Sequence, residues 1–354
     1  MKKALAILMI FALVASVAVA EVSIGAWGRG IFLPVSNGPD DTLTDTAPSW
    51  GGWPGDEARI GFTLAGNSDN VGFQIDGNVD GGAFSVGDQQ KIWVKPMDMV
   101  TLQLGRIYDD TLRGNAAFGS FNWYRGLGYG DGEDVTFSRI GIEGSREAFE
   151  VAITPMDPLY VALYFYDLDK DHTSDMFAKM QAALGYSIDG VGQFKAQILT
   201  SEATSDAEGK VDDMQTAVEV AFNYTGMENL FVELGFAMNT NADVDPEETK
   251  KIALYGNYAV DAAKIHLMAV YKLMESDNRM HVGAGLDYDV GDGVGVSADV
   301  HYMDDVWTGS GDSAITFFAG VTKGFSNGVV GAGVQVRSEG DTYIGIPVRM
   351  EYWF

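Results

Sequence analysis

The chain has 354 residues, no cysteine, four histidines and a formal net charge of -27. The missing cysteines exclude disulfide frameworks and thiol chemistry, the scattered histidines exclude a clustered zinc centre of the HExxH kind, and the charge excludes a partner built on phosphates. Hydrophobic residues make up 46% of the chain and glycine (44) far outnumbers proline (9), a composition suited to β-structure.

The first segment, MKKALAILMIFALVASVAVA, places Lys2 and Lys3 before an uncharged apolar run that closes on Ala18-Val19-Ala20. That is the pattern of a secretory signal, with cleavage expected after Ala20 and an exported unit over residues 21–354. Loss of Lys2 and Lys3 takes the formal charge from -27 to -29. The run is short for a spanning helix, which needs about 20 residues.

From Val22 onwards the pattern changes to alternation of apolar and polar residues with period two. Strands are predicted at 22–33, 58–66, 70–78, 89–95 and 99–107, with a sixth inside 135–154. Twelve more follow at 159–167, 176–188, 193–200, 214–224, 229–239, 250–260, 263–273, 279–290, 293–303, 314–324, 328–337 and 343–354. The connections alternate between tight ones (GVG, GMEN, DAA, GDG, SNG) and polar ones such as TSEATSDAEGKVDD and NTNADVDPEE. Two PMD turns, at 96–98 and 155–157, fall on the tight side, so an odd number of strands joins each to the loop side, which favours one long strand in 135–154. The count is then eighteen, with sixteen as the alternative.

Segments of about ten alternating residues, tight turns on one side and longer loops on the other are the signature of a transmembrane antiparallel β-barrel. The rival, a soluble sandwich, keeps polar residues on its outer faces; here the polar face is too rich in Gly, Ser, Gln, Asp, Glu and Lys for a packed interior. In hydrocarbon every backbone amide must be paired internally, so the sheet must close. The last strand, YIGIPVRMEYWF, is therefore expected to pair with VSIGAWGRGIFL at 22–33, with Ile344, Ile346, Val348 and Met350 facing lipid and Tyr352 and Phe354 in an interfacial girdle. A barrel of this size leaves a water-filled interior unless something fills it. No plug domain is expected, because the first strand starts close to the cleavage site.

The longest connection follows strand 99–107 and runs from Ile107 to Val135. Its approach, DQQKIWVKPMDMVTLQLGRIYDD, resembles the general porins of Gram-negative bacteria: strand, turn, strand and an LGR ending before a long third loop. The resemblance covers residues 21–140 in pattern and the whole chain in architecture. It implies an outer-membrane channel for small hydrophilic solutes and ions, a homotrimer, and a third loop, here 107–134, folded into the barrel as a constriction, with Arg106 as the arginine of the LGR ending. A terminal aromatic such as Phe354, with Tyr352 before it, resembles the signal read by the bacterial barrel assembly machinery.

The loop carries Asp109, Asp110, Asp131, Glu133 and Asp134 with Arg113 and Arg125. Facing them, Arg29, Arg59, Arg139, Lys195, Lys264 and Arg349 have lumen parity. Opposed charge rows orient polar solutes and a net acidic lumen concentrates cations, so a weakly cation-selective pore is expected. No cofactor is called for.

Other signals point elsewhere. Asp167, Asp169 and Asp171 could gather oxygen ligands around calcium but lack the glycine and distant glutamate of an EF-hand loop. Lumen parity also holds for His266, His281 and His301, with Asp287 and Asp299 near in register, which is the raw material of a barrel hydrolase. A sugar-specific channel and a surface adhesin are the remaining alternatives; the chain is not expected to be an enzyme.

Overall fold

The computed structural model describes residues 21–37, 50–51, 59–80, 83–108, 111–112, 146–166, 179–205, 211–239, 250–273, 278–308 and 310–354. In chain order the strands are β1 (Glu21–Asn37), β2 (Trp50–Gly51), β3 (Arg59–Asn67), β4 (Val71–Asp80), β5 (Ala83–Met97), β6 (Val100–Ile107) and β7 (Arg146–Met156). There follow β8 (Leu159–Tyr166), β9 (Met180–Ile188), β10 (Gly192–Ser205), β11 (Val211–Tyr224), β12 (Leu230–Asn239) and β13 (Lys250–Val260). The last are β14 (Ala263–Leu273), β15 (Arg279–Gly291), β16 (Val294–Met303), β17 (Ala314–Phe325), β18 (Gly328–Glu339) and β19 (Asp341–Trp353). One helical turn, Asp305–Thr308, sits between β16 and β17.

From β3 to β19 each strand pairs antiparallel with the next, and β1 joins β3 on one side and β19 on the other. With the two-residue β2 set aside as a short pairing on Ile31 and Phe32, the sheet is a closed barrel of eighteen strands, not the sixteen of the alternative count. At the seam Phe354 N–H donates to the Ala26 carbonyl and Ala26 N–H donates to the Phe354 carbonyl, both at 3.0 Å.

Burial shows which way the faces point. Along β14, His266, Met268 and Val270 are buried whereas Leu267 between them is 60% exposed. Ile92, Leu104, Leu234, Ile252, Ile315 and Ile344 are likewise exposed, while Lys195, Glu233, Asp299, Gln335, Arg337 and Arg349 are buried. This inversion is unstable in water and is what a hydrocarbon surround requires. Near the tight turns the outward face carries Tyr186, Tyr258, Tyr288 and Tyr352, all exposed, as an aromatic girdle.

The tight turns have the backbone that a two-residue hairpin demands. Between β15 and β16, Asp292 and Gly293 both have positive φ, at 53° and 73°, the signature of a primed turn whose twist matches the strands. The PMD segments end β5 and β7 on this side, as their parity requires.

Three elements differ from expectation. The polar stretch read as a loop after residue 200 is mostly ladder, since β10 runs on to Ser205 and β11 starts at Val211. Backbone pairing needs no apolar face where a hairpin projects into water, so hydropathy alone misplaces such ends. For the same reason β5 begins at Ala83 and not at residue 89. Of the strand sought in 135–154, the described part is β7, from Arg146.

Candidate functional site in the barrel lumen

Register places the polar residues of neighbouring strands in rows on the inner wall. At the seam Arg29 stands opposite Glu351, and its Nη2 donates to Oε1 at 3.0 Å. Arg349, two residues before Glu351 on the same face, donates to the other carboxylate oxygen. Arg59 is the partner of Arg29 across β3, so it shares the lumen face. Trp27 lies flat over Gly61, where a Cβ would come within 2.2 Å of its ring, and Arg29 stacks over the indole at 5.9 Å.

Lys195 and Glu233 form a fully buried ion pair, 2.9 Å apart, on β10 and β12. The strand between them, β11, puts Ala221 directly opposite both Lys195 and Gly235. These small residues leave the space through which the lysine reaches a carboxylate two strands away. A buried pair of this kind contributes little over an apolar pair, but either charge left alone in the wall is costly.

Two hydrogen-bonded chains cross β13 to β16. Tyr255 Oη bonds His266 Nδ1 at 3.0 Å, His266 Nε2 bonds Asp287 Oδ2 at 2.7 Å, and Ser297 donates to the other Asp287 oxygen at 2.7 Å. In the second, His281 Nε2 meets His301 Nδ1 at 3.1 Å and His301 Nε2 lies 3.3 Å from Asp299. Register puts Gly285 opposite His266 and Gly283 opposite His301, so each ring can lean across a neighbour with no side chain. These chains orient donors and acceptors along the wall.

After β6 the chain turns inward. Ile107 is fully buried with Ala148 and Tyr166. Leu112 is 1% exposed and belongs to the same buried cluster as Ala162, Tyr164 and Ala183, residues of the inner faces of β8 and β9. It lies over Gly185 of β9, where a Cβ would fall 2.2 Å from Leu112 Cδ2. The connection that starts here, from residue 108 to β7, is the third on the loop side of the barrel.

Register places Arg29, Arg59, Lys195, Lys264 and Arg349 on inner-face rows. Arg106 requires correction. It follows Leu102 and Leu104 at period two, pairs with Gln90 and Glu147, and so stands on the outward face at the loop end of β6. The glycine of the LGR ending has a backbone reason: Gly105 has φ 125°, and a Cβ there would lie 2.1 Å from the Gln90 carbonyl oxygen. Asp109, Asp110, Arg113, Asp131, Glu133, Asp134 and Arg139 lie outside the described residues, as do Asp167, Asp169 and Asp171. Glu233 and Tyr255 were missed. A lone carboxylate in LFVELGFAM was a legible signal for the first.

The chain matches the family model for Gram-negative porin over residues 4–341. No match was found among curated protein sequences. Among solved structures, Acinetobacter baumannii OccAB4 is similar over 94% of this chain and 98% of its own, with TM-score 0.60 and 8% identity. Pseudomonas aeruginosa OpdL matches over 94% and 99%, with TM-score 0.59 and 11% identity. A mutant of the Rh. blastica porin matches over 94% and 100%, with TM-score 0.51 and 18% identity. At such identities the likeness speaks for the fold, and the family model carries the rest: the chain belongs to the Gram-negative porin family and is an outer-membrane porin.

Proposed function

We propose that this porin is a weakly cation-selective diffusion pore narrowed by its third loop, residues 107–134, with signal cleavage after Ala20 and assembly as a homotrimer. The observation that carries the constriction is Leu112, buried against the inner wall immediately after β6. A connection that enters the lumen at its first turn is poised to narrow it. Asp109, Asp110, Asp131, Glu133 and Asp134 would supply the acidic side, with Arg113 and Arg139 nearby and Arg29, Arg59, Lys264 and Arg349 on the wall. Lys195 is tied to Glu233 within the wall and adds little to that field. The acidic excess of the whole chain supports preference for cations. Tyr352 and Phe354 would serve as the signal for the assembly machinery.

Single-channel conductance in a planar bilayer under a salt gradient tests this reading. A cation-preferring reversal potential that falls when Asp109, Asp110 and Asp131 are changed to Asn is the expected result. An unchanged potential in the triple variant would remove the loop from the selectivity filter.

A further inference from the structure

We infer that the inner wall near the tight turns carries a binding subsite for a neutral polyhydroxylated solute of mono- to disaccharide size, an inference that rests on the open-pore reading above. A cavity of about 470 Å³ opens there, within the range of small-molecule sites, about 300–1,000 Å³. One register row crosses five strands there, Asp289, Gly295, Thr322, Gly331 and Arg349, and all of these but Gly331 line the cavity. The two glycines alternate with the three functional side chains, which leaves a groove about 19 Å long at roughly 4.8 Å per strand spacing. Asp287 and Ser297 line one side of it, and Trp353 the other end.

The class of ligand follows from how the charges are already engaged. Arg349 is bound to Glu351, and Asp287 is bound to both His266 and Ser297. A charged solute must pull these pairs apart, and leaving one partner of such a pair uncompensated is costly. A hydroxyl can instead accept from a guanidinium or donate to a carboxylate whose main partner stays in place, since each group has further donor or acceptor capacity. Ser297 and Thr322 add hydroxyls that act either way. Trp353, 44% exposed, offers an indole face for the C–H side of a ring. Alternating hydroxyl-compatible groups beside one aromatic plane match a pyranose.

The test uses the full-length porin in a planar bilayer, with maltose titrated on the tight-turn side and current read in constant salt. Saturable reduction of current is expected, with a half-saturating concentration that rises about tenfold in Asp289→Asn and in Thr322→Val, the loss of one hydrogen bond to a charged or polar wall. Heat-modifiable migration of each variant establishes that its barrel has formed. Reduction that merely tracks viscosity, or is equal in the variants, overturns the inference while the pore stands. Tighter, substitution-sensitive block by glycylglycine overturns the neutral class in favour of a zwitterionic one. Absence of stepwise conductance fails the open-pore reading, and the inference with it.

Discussion

Replacing Gly185 by alanine puts a methyl group 2.2 Å from Leu112 Cδ2 and 3.5 Å from its Cγ. The first distance is far inside van der Waals contact, and Leu112, 1% exposed, has little room to retreat within its cluster. Overpacking of this kind costs about 1–3 kcal/mol, comparable to the roughly 1.5–3 kcal/mol gained by burying a leucine. The docked arrangement of the loop entry therefore loses most of its advantage. At about 1.4 kcal/mol per factor of ten, its population relative to undocked forms falls about 5- to 150-fold. The barrel should be indifferent, because its ladder does not run through Leu112. The assay is single-channel recording of Gly185→Ala for conductance and open-channel noise. Larger or noisier currents are expected. Unchanged current and noise would refute the idea that Leu112 pins the loop entry to the wall.

Other perturbations test the wall and the faces. Glu233→Ala strands Lys195 in a site with no exposure and should cost about 3–5 kcal/mol, read as a lower unfolding midpoint in detergent; a change under about 1 kcal/mol would show that water reaches the lysine. Leu267→Arg on the lipid face should impair refolding into vesicles by about 2–4 kcal/mol if the site is near the bilayer midplane, and an unaffected yield would contradict the assigned orientation. Deleting Phe354 removes two backbone hydrogen bonds to Ala26, about 1 kcal/mol each, and should lower the heat-modifiable fraction recovered from cells more than the stability of barrels already formed. Recovery at wild-type levels would show that Phe354 itself, with Trp353 left at the end of the strand, is dispensable for assembly.

Much of this protein is written in its period. Because strand side chains alternate with a repeat of two, a local run such as KIHLMAVYKL determines at once that Ile265 and Leu267 share one face and His266 and Met268 the other. Tight turns such as GDG punctuate the runs and narrow the strand number to eighteen or sixteen, and the absence of a stable open edge in hydrocarbon forces the last strand onto the first. The same rule, applied to Leu102, Leu104 and Arg106, places the arginine outward; resemblance in the LGR ending pointed the other way, and the register agrees with the parity. What only the tertiary structure decided are contacts between side chains that leave their own rows. Lys195 finds Glu233 across an intervening strand because Ala221 and Gly235 make way, Leu112 settles on Gly185 more than seventy residues along the chain, and the cavity draws its lining from five strands. Such contacts depend on the size of residues opposite, on barrel curvature and on where a long connection folds, and none of these is carried by local alternation.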